Sequence, residues 1–132
     1  MIQMQATSTF VIDTWEAQPY DEREGATLTR THVAKTFQGE IEGQSTAELL
    51  MAMAGEGSAA YVGFERIVGR VNGREGSFVL HHSAMSAYGA QSASWTVVPD
   101  SGTGALQGLR GEARIVNEPD GGHTFVLNYE LD

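Results

Sequence analysis

The dipeptide Asn72-Gly73 constrains the fold of this chain more than any other feature, because it fixes the register of two long β-rich runs. Asn-Gly between alternating apolar and polar residues favours a two-residue type I′ hairpin turn. If the residues that flank the turn face each other, Gly63 faces His82 and the pairing spans residues 61–84. The sequence therefore predicts a long, regular hairpin near the middle of the chain.

The side chains of this hairpin divide into two faces, since alternate residues on a strand point to opposite sides of the sheet. The face that contains Ile67, Phe78 and Leu80 is mostly apolar, and the opposite face carries arginines, a glutamate and serines. Glu65 and His82 belong to the apolar face. They lie diagonally across the hairpin, roughly 7–8 Å apart between backbones, so their side chains can meet.

Composition excludes several classes of function. Seventeen acidic against eight basic residues give a net charge of −9, which disfavours nucleic acids and anionic membrane surfaces as partners. No cysteine is present, so thiolate catalysis, disulfides and cysteine-based zinc sites are excluded. No run of residues resembles a membrane span or a signal peptide. We expect a single domain over residues 1–132, located in the cytoplasm.

Before the hairpin, hydrophobic alternation predicts strands over residues 6–15 and 27–41, separated by a charged loop over residues 16–26 that contains Pro19. Residues 44–54 are expected to form a strand, because glycines bracket them at strand length. A short helix is the alternative, since leucine, methionine, alanine and glutamate favour helices.

After the hairpin, strands are predicted over residues 91–98 and 105–117, and a last strand places Phe125, Leu127 and Tyr129 on one face. Eight strands joined by short connections favour an all-β, eight-stranded antiparallel up-and-down (meander) barrel. A β-sandwich is the alternative fold. The hairpin-by-hairpin order favours the barrel.

Common catalytic motifs are missing. The glycine-rich residues 100–111 lack the Gly-Lys-Ser/Thr ending of a phosphate loop and precede a predicted strand, so they are interpreted as a structural turn. His81 and His82 point to opposite faces and cannot chelate one ion together. No Gly-x-Ser-x-Gly elbow indicates a serine hydrolase. We therefore predict neither a metal site nor a cofactor.

Glu65 and His82 remain as candidate chemistry. A buried polar pair that satisfies itself is one interpretation, with Glu65 also bonded to Lys35 or Arg110. In the functional interpretation an apolar lining raises the pKa of Glu65, which then serves as a general acid or base with His82 as its partner. Lys35 lies on an otherwise apolar face, and extension toward solvent at the rim is favoured over pairing inside.

Four motifs carry a resemblance to a known family. They are Lys35-Thr36-Phe37-x-Gly39-x-Ile41-x-Gly43, Tyr61-Val62-Gly63-x-Glu65-Arg66, Gly76-Ser77-Phe78-Val79-Leu80-x-His82 and Trp95-x-Val97-Val98-Pro99-x-Ser101-Gly102-Thr103-Gly104-x-Leu106-x-Gly108-Leu109-x-Gly111. In this order they resemble the bacterial domain of unknown function 3224. That family is similar to the allene oxide cyclases and plant dirigent proteins, which share an eight-stranded meander barrel, although only the Gly-Thr-Gly stretch resembles their sequences.

The resemblance implies an allene oxide cyclase-like barrel, which in such families holds a hydrophobic substrate without a cofactor, and assembly as a homo-oligomer. We expect a small hydrophobic molecule as partner, and a cofactor-independent isomerase or cyclase as the activity. A non-catalytic carrier or sensor, or a filled barrel that acts as an interaction module, are the alternatives. The predicted catalytic residues are Glu65 and His82. The predicted ligand-binding residues are Lys35, Phe37, Tyr61, Ile67, Phe78, Leu80, Trp95, Arg110 and Tyr129.

Overall fold

The hairpin around Asn72-Gly73 has the predicted register in the computed structural model, which describes residues 3–132. Its strands are β4 (Ser58–Val71) and β5 (Arg74–Ala87). Asn72 and Gly73 have φ angles of 49° and 84°, as a type I′ turn requires. Gly63 faces His82, so the predicted inward and outward faces are confirmed.

The strands form a closed antiparallel barrel in chain order, and β8 pairs with β1 to close it. The other strands are β1 (Gln3–Arg23), β2 (Ala26–Gly39), β3 (Ile41–Gly55), β6 (Ala90–Val97), β7 (Arg110–Asn117) and β8 (His123–Glu130). The eight-stranded up-and-down barrel is thus confirmed over the β-sandwich, and residues 44–54 are strand and not helix. Within residues 3–132 no helix has the length and apolar character needed to cross a bilayer.

The predicted loop over residues 16–26 is wrong, because β1 continues to Arg23 and pairs with β2 along this stretch. Pro19 and the nearby charges suggested a loop. Pairing with β8 ends at Phe10, however, so the later part of β1 is an edge strand. An edge strand tolerates proline and exposed charge, because one row of its backbone groups needs no partner strand.

Two other predicted boundaries are also wrong. The strand predicted over residues 27–41 ends at Gly39, and Ile41 already belongs to β3. The strand predicted over residues 105–117 begins only at Arg110, after a 3-10 turn at Gly104–Leu106. The turn segment lies against β5, where a Cβ atom on Gly76 would stand 2.0 Å from the carbonyl oxygen of Thr103. This close approach explains why glycine is needed where the turn segment packs against β5.

The barrel interior has a filled half and an open half. In the filled half the core is closed by Leu106 and Leu109 and packed with Phe37, Phe78 and Phe125, all at most 1% exposed. In the other half β6 and β7 pair at only two positions, and β1 has already separated from β8. The sheet therefore opens at this end, and the interior becomes accessible there.

Candidate functional site

The open half contains a cavity of about 210 Å³. Its wall is mainly apolar, with side chains such as Phe10, Trp15, Val33, Leu49 and Met51. These residues come from β1, β2 and β3, where strand alternation points every second side chain inward. An apolar, concave space with a few polar groups is the usual form of a small-molecule site.

Glu65 lies beneath this cavity and is fully buried. Three side chains surround its carboxylate. Ser45 Oγ donates to Oε2 over 2.5 Å, Lys35 Nζ donates to Oε1 over 3.3 Å, and His82 Nε2 lies 2.8 Å from Oε1. The His82 contact meets the distance of an ion pair, although it lacks the geometry of a hydrogen bond. The predicted meeting of Glu65 and His82 side chains is confirmed.

Lys35 is paired inside the barrel, so the expectation that it extends toward solvent at the rim is wrong. Its side chain is only about a tenth exposed, and its Nζ also lies 4.7 Å from the centre of the Phe10 ring. Lys35 and Glu65 are two strands apart, with Ser45 of β3 between them. The sheet register therefore assembles a compact group of opposite charges, whose attraction offsets the loss of hydration.

The pKa of Glu65 is lowered from its ordinary value of 4.5 to about 2, which contradicts the rise expected in the functional interpretation. Burial does raise this pKa, but the contacts with His82, the charge of Lys35 and the hydrogen bond from Ser45 outweigh it. Glu65 is therefore a carboxylate at neutral pH. It holds no proton to donate there, and its low basicity makes it a poor proton acceptor.

His82 is the titratable group that connects this buried cluster with the cavity. It is 3% exposed and lines the cavity, whereas Glu65 lies behind it. Its ring also neighbours Tyr61 and Trp95, with centroid distances of 6.3 and 6.0 Å. A carboxylate behind an imidazole orients the ring, an arrangement suited to proton transfer.

Tyr61 and Trp95 supply polar atoms at the cavity wall. Trp95 Nε1 is buried and makes no hydrogen bond of good geometry within residues 3–132. Burial and the negative charge of Glu65 raise the pKa of the Tyr61 phenol, and the nearby Trp95 N–H opposes this rise. A buried indole N–H whose nearby acceptor is poorly aligned has room to donate to a better placed one.

The remaining predicted ligand-binding residues lie away from the cavity. Phe37, Ile67, Phe78 and Leu80 belong to the filled core. Tyr129 is buried in the same core, where its hydroxyl accepts a hydrogen bond of 2.7 Å from Asn72. Arg110 contacts Glu130 and Asp132 near the C-terminus, and of the two partners suggested for Glu65 it is Lys35 that pairs with it.

Several residues of the site were missed from the sequence. Ser45 completes the Glu65 cluster, while Trp15 and His123 help to form the cavity wall. The inward alternation of Ser45 with Ala47 and Leu49 on β3 was a usable signal for Ser45. Trp15 lies beyond a bulge in β1, which shifts the alternation and hides its orientation from the sequence pattern.

No group of three or more histidine, aspartate or glutamate side chains suited to a metal ion occurs within the described residues 3–132. The exterior contact between His32 and Glu48 is a two-residue pair next to Arg30.

Comparison with known proteins agrees with the architecture. A crystal structure of a protein of unknown function from the DUF3224 family of Shewanella oneidensis MR-1 is 34% identical to this chain. The alignment covers 99% of each chain with a TM-score of 0.86. No protein of curated function shows significant similarity to the sequence. The model of the family described as "Protein of unknown function (DUF3224)" matches residues 6–129, and the chain belongs to this family.

Proposed function

We propose that the protein binds a small, mainly apolar and uncharged molecule that carries one acceptor oxygen, in the cavity of its open half. The single observation that carries this proposal is the buried Trp95 N–H at the wall of an otherwise apolar cavity, where it makes no hydrogen bond of good geometry and has the Tyr61 hydroxyl near it. A ligand carbonyl oxygen supplies a better aligned acceptor. The Lys35 ammonium and the Tyr61 hydroxyl add further donors on the same wall.

Charge balance argues for a neutral ligand. The negative charge of Glu65 is already matched by Lys35 at 3.3 Å. A carboxylate ligand would bring a second negative charge next to Glu65 in a site that is largely shielded from water, where like charges repel strongly. A ketone, aldehyde or ester accepts the same hydrogen bonds without this repulsion.

The size of the cavity limits the part of the ligand that it encloses. An apolar protein cavity of about 150 Å³ holds benzene, so a cavity of about 210 Å³ holds roughly eight non-hydrogen atoms. 2-Heptanone has this size and one carbonyl oxygen, which makes it a suitable probe.

The experiment is calorimetric titration with 2-heptanone and with heptanoate, which has a similar chain and a charged head. We expect saturable binding of the ketone and at least about tenfold weaker binding of the carboxylate. Trp95→Phe should weaken ketone binding by about tenfold, since it removes one buried hydrogen bond. Trp15→Phe is the matched control, because Trp15 lines the same cavity but is half exposed.

Equal binding of ketone and carboxylate would contradict the neutral ligand class. Equal losses in Trp95→Phe and Trp15→Phe would contradict the role of the Trp95 N–H. Absence of ketone binding to the wild type would remove the proposal as a whole.

A second candidate function is a cofactor-independent isomerase or cyclase, which the likeness to allene oxide cyclases implies. The carboxylate-supported imidazole of His82 at the cavity wall favours it. In this case His82 takes a proton from the carbon next to the ligand carbonyl. The electron pair moves onto the carbonyl oxygen, where Trp95 and Lys35 stabilise it. Near-wild-type exchange of these ketone protons with D2O by a Glu65→Gln, His82→Ala double variant would exclude this role.

A further inference from the structure

The sheet continues past the cavity on one side. β3, β4, β5 and β6 extend together through residues 51–61 and 84–93, in a region where β6 no longer pairs with β7. Here the sheet forms a second cavity of about 250 Å³, lined by inward residues and by Ala60, Met85 and Ser92 at the alternate positions. Met51 and Tyr61 line both cavities, so the two spaces are adjacent.

The inner face of this region is uncharged and consists mainly of small or flexible side chains. We call it the extension face; its inward residues include Met51, Met53, Ala59, Ala84 and Ala93. Met53 faces Ala59 and Ala84 faces Ala93 in the strand register, so alanines leave a shallow channel beside the methionines. Methionine adapts its shape to varied apolar partners, which suits a surface that contacts a flexible chain.

Polar and apolar groups are therefore separated along one line. The charged residues and the buried indole N–H lie at the inner end, around Lys35, His82 and Trp95. The extension face at the outer end offers only apolar contact and a few uncharged polar groups. A ligand that satisfies both ends has a polar head and an unbranched apolar tail.

We propose that the extension face is the second part of the binding site and takes the apolar tail of a linear molecule whose carbonyl lies in the cavity. This inference rests on the proposed function and adds the shape of the ligand to it. The ligand class is then a neutral linear carbonyl compound longer than the cavity can enclose. Its first atoms are surrounded in the cavity, and the rest lies along β3 to β6 with one side against the protein.

The experiment compares 2-heptanone, 2-nonanone and 2-undecanone by calorimetric titration of the full chain. Because a tail on an open face buries only about half of each methylene, we expect affinity to rise about twofold for each added methylene. Ala59→Phe should abolish this rise, since its ring would fill the channel beside Met53, and it should leave 2-heptanone binding unchanged. Ala52→Phe is the matched control, because Ala52 points to the outer face of β3 and does not line this cavity.

The outcomes separate this inference from the proposed function. Binding of 2-heptanone with no gain for longer ketones would overturn the tail site and leave the cavity site intact. No binding of any ketone would overturn both. Sedimentation of both variants tests a further alternative: a wild-type dimer that Ala59→Phe alone dissociates would make the extension face a contact between two copies, and would also overturn the tail site. The tail site is supported if the wild type is monomeric, binds longer ketones more tightly, and loses this gain in affinity only in Ala59→Phe.

Discussion

At the scale of single residues, the Glu65 cluster determines both the stability and the chemistry of the site. The hairpin turn fixes Glu65 and His82 on one face, and this part of the site was predictable from sequence because the turn is local. Lys35 was one of two partners that the sequence suggested for Glu65, and choosing between them needs the register of β2, β3 and β4 together. The rise in the pKa of Glu65 expected in the functional interpretation is wrong because Lys35 and Ser45 both contact the carboxylate.

Glu65→Gln should destabilise the fold by about 3–5 kcal/mol, because it leaves the buried Lys35 ammonium without its counter-charge. Urea denaturation measures the difference. Glu48→Gln is the control, since Glu48 pairs with Arg30 on the exposed outer face and should cost less than about 1 kcal/mol.

The double variant Glu65→Gln, Lys35→Met extends this test. It removes both charges, so it should recover most of the stability that Glu65→Gln loses. A double variant no more stable than Glu65→Gln alone would show that the loss has another origin than the unpaired ammonium.

Acid stability should depend on the same carboxylate. The pKa of Glu65 is about 2 in the folded protein and near 4.5 when the chain is unfolded, so the unfolded state binds the proton more readily. The stability that Glu65 contributes is complete above about pH 4.5 and is lost as the pH falls toward 2. This contribution is roughly 3 kcal/mol.

Urea denaturation at a series of pH values between 2 and 6 measures the contribution of Glu65 to stability. The stability gap between the wild type and Glu65→Gln should narrow as the pH falls through this window. A constant gap over the whole range would contradict the lowered pKa.

At the scale of strands and turns, local signals predicted most of the sheet and failed where the context is not local. The Asn72-Gly73 turn set the correct register for the residue pairs between β4 and β5 over residues 61–84. The loop predicted around Pro19 failed because the sequence does not reveal that this part of β1 lies at a sheet edge. The glycine-rich segment before β7 failed because its turn is shaped by contact with β5.

Gly73→Ala should destabilise the hairpin by roughly 1 kcal/mol, because φ at this position is +84° and disfavours any residue with a Cβ atom. The new methyl group would meet nothing within 4 Å, so the cost is conformational and not steric. Gly55→Ala is the control: its surroundings are equally open and its φ is not in the left-handed region.

Gly55→Ala should therefore be neutral or slightly stabilising. Thermal denaturation of both variants checks the pair. Equal melting temperatures for the two alanine variants would contradict the type I′ conformation of the turn.

At the scale of the whole molecule, the two halves of the barrel differ in packing. The filled half, closed by Leu106 and Leu109, provides a rigid core. The open half replaces core side chains with a cavity and continues into the extension face. The sequence predicted a barrel but not which half is filled. Inward apolar residues give the same sequence pattern whether they pack against each other or line a cavity.

We propose that the cavity of the open half, and not the filled half, takes an apolar carbonyl compound. The most direct test is an NMR titration of the labelled protein with 2-heptanone. We predict saturable shifts of the Trp95 indole N–H and of the Tyr61 and His82 amides, with the amides of Phe37 and Phe78 unchanged. An unperturbed Trp95 indole at saturating ketone, or shifts confined to the outer face of the sheet, would contradict the account.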